Sequence, residues 1–205
     1  MLSKIALSAV ILAGGDSKRM GTNKAFLTLN SVCLIDYIFA QLDRLFKEVL
    51  IVTDRKNEFQ HLNAKIVSDI LNTGEKNALR GIHSGLFHAS TDAAFFVACD
   101  MPFLSEPLIC HMSTYAGTHD AVIPRVDGYY QPLFAFYNRR VLSIITRSLE
   151  QKSFKVTDLF CGLNIKEINE EIIINYDADM RSFFNINTRN DYEKAKQIFA
   201  MRPEI

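Results

Sequence analysis

The sequence predicts an α/β fold of the Rossmann-like type, in which helices cover both faces of a doubly wound, mostly parallel sheet. Short, continuous apolar runs such as 49–52 and 93–99 are one reason, because they match parallel strands covered by helices on each side. These runs alternate with stretches whose apolar residues recur at helical spacing, which is typical of right-handed βαβ units. A chain of 205 residues suits one domain of this kind, spanning 1–205.

The predicted strands are short runs of β-branched, aromatic and aliphatic residues between turn signals. The first run has the length of a buried strand and ends at a pair of glycines. Asp127-Gly128 is a turn signal between two later runs and predicts a hairpin-like pair. In chain order, the predicted strands are 6–13, 25–29, 49–52, 65–69, 93–99, 120–124, 130–137 and 183–187.

The predicted helices have apolar residues three and four positions apart. Two of them carry start signals: Ser105 is an N-cap residue before Pro107, and Thr188 is one before the last helix. The segment 71–80 is polar and is predicted as a loop. The helices are predicted at 34–46, at 81–89, after Ser105, at 138–150 and at 189–199.

The composition is that of an ordinary globular protein, with 48% hydrophobic and 22% charged residues. Lysine plus arginine equals aspartate plus glutamate at 23 each, which favours neither a nucleic-acid-coating surface nor a polybasic membrane anchor. No apolar run reaches the length of a transmembrane span, and the four cysteines show no zinc-binding spacing. These features predict a cytoplasmic protein without nucleic-acid or membrane partners.

A glycine-rich, cation-bearing loop follows the first predicted strand. Gly14 and Gly15 permit a tight turn and a close approach of the backbone to a ligand, and Lys18, Arg19 and Lys24 follow. Backbone N–H groups and cations together suit a phosphate chain. The spacing is neither that of a P-loop nor that of the dinucleotide fingerprint. An ordinary strand-to-helix turn is the alternative interpretation.

Two acidic residues follow predicted strands, where ligands bind in open α/β sheets. Asp100 comes directly after 93–99, and a carboxylate in that place is suited to hold Mg²⁺ on phosphate oxygens. A turn before Met101-Pro102 is the alternative role for it. Asp69 ends the predicted strand 65–69, and a carboxylate there can accept two hydrogen bonds from guanine; a solvated strand end is the alternative.

The loop, from Leu12-Ala13-Gly14-Gly15 to Lys24, resembles the signature loop of nucleotidyltransferases. Its Gly-Gly form is most similar to the molybdenum cofactor guanylyltransferases, as are Ala-Cys-Asp-Met-Pro-Phe around Asp100, Gln131-Pro132-Leu133 and the late Asn185-Ile-Asn187-Thr. The resemblance implies a nucleotidyltransferase-type fold and a role for each matching residue. It implies catalytic Arg19, Lys24 and Asp100; Mg²⁺ on Asp100; nucleotide contacts at Leu12, Ala13, Gly14, Gly15, Lys24, Asp69 and Asp100; and acceptor contacts at Asn185 and Asn187. Whether Asp69 contacts base or ribose stays open.

One segment departs from the family. The usual Gly-Pro-Leu-Ala-Gly near the nucleotide base reads Asn77-Ala-Leu-Arg80-Gly81 here. Losing Gly and Pro changes the backbone freedom, and Arg80 adds a cation beside the predicted pocket. The base-side contacts therefore need not be those of the family.

The activity that the resemblance implies is transfer of GMP from GTP to the terminal phosphate of molybdenum-molybdopterin, with release of pyrophosphate. Molybdoenzymes or their chaperones would receive the product. Two alternatives stay open. One is another nucleotidyltransferase, such as a cytidylyltransferase acting on molybdopterin or on a sugar or alcohol phosphate. The other is a non-catalytic chaperone that binds the cofactor, which the intact Arg19, Lys24 and Asp100 disfavour.

Overall fold

A computed structural model describes residues 3–14, 24–71 and 76–201. Gly15, Lys18 and Arg19 lie outside the described residues. The strands are β1 (Ile5–Leu12), β2 (Thr28–Leu29), β3 (Val32–Cys33), β4 (Phe46–Val52), β5 (Lys65–Val67), β6 (Ala93–Ala98), β7 (Ala121–Val126), β8 (Tyr129–Tyr130), β9 (Phe134–Asn138) and β10 (Ile165–Ile168). The α-helices are α1 (Leu34–Leu45), α2 (Ala78–His88), α3 (Glu106–Ser113), α4 (Leu142–Glu150), α5 (Glu170–Tyr176) and α6 (Arg189–Ala200).

The main sheet has the order β10-β7-β9-β6-β1-β4-β5, with β8 paired to β7. Strands β1, β4, β5 and β6 are parallel, and β9 runs antiparallel between β6 and β7. The chain leaves β1 toward β4 and β5 and later returns to its other side as β6. The strand order therefore reverses at β1, and a crevice for a ligand is expected outside the carboxyl ends there. The mostly parallel α/β fold predicted from the sequence is confirmed.

Alternate residues of β1 enter two different cores. Ala9 and Ile11 pack in the core that also holds the apolar faces of α1, α3 and α5. Val10 packs on the other face, in the core that contains the apolar residues of α2 and α4. Successive side chains of a strand point to opposite faces, so one apolar run supplies both layers.

Helix α2 lies unusually close to the sheet. A Cβ on Gly85 would lie 2.6 Å from Phe96 Cε1 and 2.8 Å from Val10 Cγ1, and one on Gly81 would lie 2.9 Å from Leu12 Cδ2. The two glycines are four apart and therefore share one helix face. Their missing side chains let α2 pack directly on β1 and β6.

Some predicted elements differ from the structure. Helix α2 begins at Ala78 rather than Gly81, because the Asn77 side chain accepts a hydrogen bond from Arg80 N at 3.0 Å and caps it. The predicted strand 25–29 is a 3₁₀ turn (Lys24–Phe26) followed by the short β2. The predicted strand 130–137 is interrupted at 131–133, between β8 and β9.

The predicted strand 183–187 is wrong. The segment starts as a 3₁₀ turn (Arg181–Phe183) and continues without a strand partner in the described sheets. Ile186 is fully buried, and its N–H donates to the backbone oxygen of Asp100 at 2.9 Å. This long-range bond and the buried Ile186 hold the segment against the end of β6.

We expect Gly85→Ala to lower the melting temperature by several degrees. Overpacking against the buried Phe96 and Val10 costs about 1–3 kcal/mol, which exceeds the ~1 kcal/mol that alanine gains over glycine in a helix. Gly117→Ala is the matched control, because a Cβ there meets nothing within 4 Å. Equal melting curves for the two variants would contradict the close packing of α2.

Candidate active site

The carboxyl ends of three adjacent strands lie level with one another. Leu12 is paired with Val52 on one side and with Ala98 on the other. Beyond the strands, Ala13 N donates to Val52 O at 2.9 Å, and Cys99 N donates to Leu12 O at 3.1 Å. The backbone from Leu12 into Gly14 is thus held at the edge where a ligand is expected.

Lys24 connects two distant parts of the chain at this edge. Its Nζ lies 3.0 Å from Asp100 Oδ2 and 2.8 Å from Asn187 Oδ1. The Lys24 and Asp100 side chains are only 16% and 19% exposed. A charge pair with little solvent around it is screened less than a surface pair. The predicted residues Lys24, Asp100 and Asn187 therefore form one cluster, which we call the lysine cluster.

The backbone around Asp100 is fixed. Met101 N donates to Ala98 O at 3.1 Å, and Asp100 O accepts the bond from Ile186 N. Helix α3 is capped by Ser105, whose Oγ accepts from Leu108 N at 3.3 Å. Asp100 is therefore not the cap of α3, and its carboxylate is directed to Lys24.

The lysine cluster has the chemistry of a site for a hard cation. Asp100 Oδ2 and Asn187 Oδ1 both lie within 3.0 Å of a single positive charge, the ammonium of Lys24. Carboxylate and amide oxygens are ligands for Mg²⁺, which completes its shell with water and substrate phosphates. Burial raises the pKa of the neighbouring Cys99 thiol to about 12, with Asp100 adding to the rise. Within the described ranges, no three His, Cys, Asp or Glu residues form a metal-binding group.

Asp69 forms a second buried ion pair, on the other side of β1. Its Oδ2 lies 3.2 Å from an Arg80 terminal nitrogen, with the side chains 14% and 10% exposed respectively. Burial raises the pKa of Asp69 above its ordinary value, against the opposing effects of Arg80, Lys76 and a hydrogen bond from Ser84. The sequence indicated both residues near the base, but nothing in it indicated that they pair. Asp69 lies beyond the end of β5 rather than within the predicted strand.

The other predicted contact residues are not part of the lysine cluster. Asn185 donates its amide to the backbone oxygen of Phe183 at 3.0 Å, a local bond. Leu133, in the segment Gln131-Pro132-Leu133, accepts from Ala98 N at 3.2 Å and so borders the end of β6. Gly15 and Arg19 lie outside the part of the chain that the structure describes.

Residues 9–158 match the family model of the MobA-like NTP transferase domain. The chain belongs to this family. It is therefore a nucleotidyltransferase, and enzymes of this class typically use a divalent metal ion.

Named relatives cover nearly the whole chain. The protein named "Probable molybdenum cofactor guanylyltransferase" of Natranaerobius thermophilus is 37% identical over 195 residues, which is 93% of this chain and 95% of the relative. The molybdenum cofactor guanylyltransferase of Desulfosudis oleivorans is 34% identical over 193 residues, again 93% and 95% of the two chains. The resemblance to the molybdenum cofactor guanylyltransferases is confirmed.

Solved structures agree on the fold. Molybdopterin-guanine dinucleotide biosynthesis protein A from Archaeoglobus fulgidus superposes with a TM-score of 0.84 at 26% identity, over 95% of this chain and 100% of that one. A 2-C-methyl-D-erythritol 4-phosphate cytidylyltransferase from Thermus thermophilus has a TM-score of 0.70 at 16% identity, over 97% and 100% of the two chains, and shows the shared fold alone. In the described residues of this family member, no helix is long and apolar enough to cross a membrane.

We expect Lys24→Ala to lower kcat/KM of the MobA-like transferase by about a hundredfold or more, the scale of losing a transition-state charge contact. Asn187→Ala should have a smaller effect, on the order of tenfold, because it removes one charge-assisted hydrogen bond to Lys24 and leaves the cation in place.

The control is Lys4→Ala, since Lys4 is exposed and forms a 3.8 Å ion pair with Asp43. Steady-state rates of pyrophosphate release measure all three variants. Near-normal turnover of Lys24→Ala would remove Lys24 from the mechanism.

Proposed function

We propose that this protein transfers GMP from GTP to the terminal phosphate of molybdenum-molybdopterin, which yields the guanine dinucleotide form of the cofactor and pyrophosphate. The observation that carries the proposal is the lysine cluster, placed at the end of β6 beside Leu12–Gly14, in a chain whose relatives are named molybdenum cofactor guanylyltransferases.

The chemistry needs little from the protein beyond position and charge. An oxygen of the acceptor's terminal phosphate attacks the α-phosphorus of GTP, and a new P–O bond forms. The bond between the α-phosphorus and the bridging oxygen breaks, and its electron pair leaves with pyrophosphate. No general base is required, because the phosphate oxygen is already ionised near neutral pH.

The residues of the chain supply the stabilising charge in this proposal. Lys24 lies at the edge where the triphosphate is expected, held by Asp100 and Asn187. Together with Arg19, it stabilises the negative charge that develops on the α-phosphate and on the leaving pyrophosphate. The backbone of Leu12, Ala13, Gly14 and Gly15 holds the nucleotide, while Asn185 and Asn187 border the acceptor.

The divalent metal in this proposal is Mg²⁺. Asp100 would hold it, and Asn187 Oδ1 is a second protein oxygen that contacts the same Lys24 ammonium. When bound, the ion would neutralise negative charge on phosphate oxygens. Water and phosphate supply the remaining ligands that Mg²⁺ usually keeps.

The partners in this proposal are GTP and molybdenum-molybdopterin, and molybdoenzymes or their chaperones take up the product. We place the reaction in the cytoplasm. We also propose that a single domain performs it, since β10, beyond the matched residues 9–158, joins the same sheet beside β7.

Product analysis tests the reaction directly. With GTP, Mg²⁺ and molybdenum-molybdopterin, mass spectrometry should detect the guanine dinucleotide cofactor, and pyrophosphate should appear in equal amount. With CTP or ATP in place of GTP, we expect little product. A cytosine dinucleotide as the main product would instead identify a cytidylyltransferase. Tight binding of molybdopterin without pyrophosphate release would identify a carrier protein.

We expect Asp100→Asn to abolish Mg²⁺-dependent transfer, with a loss of at least about a hundredfold, because the amide lacks the anionic oxygen that Mg²⁺ prefers. The fold should persist, since the backbone of Asp100 is held by its bond from Ile186 and by the turn at Met101.

Initial rates against Mg²⁺ concentration and a ligand-free melting curve decide this prediction together. Asp43→Asn is the control, as an exposed aspartate on α1. Full activity at ordinary Mg²⁺ would contradict the metal role. A large drop in melting temperature would assign the lost activity to structure.

A further inference from the structure

A buried ion pair lies outside the lysine cluster and joins two elements. Asp69 follows β5, and Arg80 lies in the first turn of α2. Both side chains are almost covered, and Arg80 as a whole residue is 8% exposed. Charges removed from water are costly even when they are paired, so a buried pair is weak evidence of a purely stabilising role. Its position suggests another use.

The pair is close to the nucleotide edge, on the side of β1 away from Asp100. Arg80 precedes Gly81, whose Cβ position lies 2.9 Å from the Leu12 side chain. The end of β5, two residues before Asp69, is connected to the same edge through Thr53, whose N–H donates to Val67 O at 2.9 Å and whose hydroxyl donates to Ala13 O at 3.3 Å. The sheet order β6-β1-β4-β5 therefore separates the lysine cluster from the ion pair, with Leu12–Gly14 between them.

A nucleotide that spans this edge meets the two groups with different parts. Lys24 and Asp100 suit the phosphates, which leaves the base for the side of β4 and β5. Guanine presents two acceptors, N7 and O6, on one edge, and a bidentate arginine is its commonest specific partner. Adenine has an amino group in place of O6, and that donor would face the donors of the guanidinium.

The carboxylate of Asp69 is already engaged by the protein. It accepts from Arg80, and Ser84 also hydrogen-bonds to it. Arginine has a planar set of N–H donors in a fixed geometry, so a carboxylate bound to one side orients the remainder. Asp69 can thus select guanine through Arg80 rather than by direct contact with its amino group.

We propose that Arg80 is a specificity-determining residue that binds the N7 and O6 acceptors of guanine, and that Asp69 is the positioning residue that holds its guanidinium. The inference rests on the proposed function, because it takes GTP as the nucleotide. It also gives the departure at Arg80 from the family's Gly-Pro-Leu-Ala-Gly a chemical role.

Nucleotide analogues test the contact atom by atom. Equilibrium affinities and kcat/KM are measured for GTP, 7-deaza-GTP, which lacks the N7 acceptor, and ITP, which lacks the amino group. The wild-type protein should bind 7-deaza-GTP on the order of tenfold more weakly than GTP, while ITP should bind about as well as GTP.

Arg80→Lys is the informative variant, because it keeps a positive charge beside Asp69 and removes the bidentate geometry. The affinity of this variant for GTP should fall by about tenfold to a hundredfold, while its affinity for 7-deaza-GTP should be almost unchanged. Its preference for GTP over ATP should be reduced. Asp69→Asn should also reduce the difference in affinity between GTP and 7-deaza-GTP. It should still bind ITP about as well as GTP. Arg44→Lys is the control, since Arg44 is exposed and pairs with Glu106 at 2.9 Å. Melting curves verify that each variant is folded.

Three outcomes would overturn the inference. One is equal wild-type affinity for GTP and 7-deaza-GTP. Another is an equal loss of affinity for GTP and for 7-deaza-GTP in Arg80→Lys, which indicates a structural role. The third is a wild-type affinity for ITP that is far below that for GTP, with the difference disappearing in Asp69→Asn. This result would assign base recognition to Asp69 itself. If the wild-type protein transfers no GMP from GTP, the proposed function fails before any variant is made. If it transfers GMP without these analogue effects, only the role of Arg80 fails.

Discussion

The structure depends on the parallel pairing of β1 between β4 and β6. Because Leu12 pairs with both Val52 and Ala98, three strands end level at one edge. The backbone that follows each strand then emerges beside its neighbours, and Asp100 and the Leu12–Gly14 turn meet there. A shift of one residue in this register would exchange the two faces of β1, so the burial of both cores also fixes the site.

Two ion pairs of low exposure lie along this edge, Lys24 with Asp100 and Asp69 with Arg80. Each is costly to bury, and each is more effective electrostatically for being buried. Strand β1 lies between the two pairs, as the proposed binding of phosphates on one side and base on the other requires. Buried charges next to a crevice are typical of functional sites.

Helix α2 connects the core with the side of the edge where the base is proposed to bind. Gly81 and Gly85 bring this helix against Leu12, Val10 and Phe96, and the Asn77 cap extends it to Ala78. Arg80 is therefore in a helical turn near Leu12 instead of in the loop that the sequence predicted. In this chain, Asn77 caps the start of the helix, and Arg80 adds a positive charge in its first turn.

Local patterns in the sequence determined much of the fold. The apolar runs of β1, β4 and β6, the amphipathic α1, and the caps at Ser105 and Thr188 all depend on neighbours along the chain, and all were predicted. The glycine loop and Asp100 were also predicted as parts of a nucleotidyltransferase site.

The tertiary structure decided which distant residues touch. Lys24 lies 76 positions from Asp100 and 163 from Asn187, and no local pattern encodes contacts of that range. The segment carrying Asn187 has a strand-like sequence, yet it has no strand partner in the described sheets, because its position comes from the burial of Ile186, the bond from Ile186 to Asp100 and the bond from Lys24 to Asn187. The pairing of Arg80 with Asp69 likewise required α2 to be packed on the sheet, since only that packing brings the two side chains together.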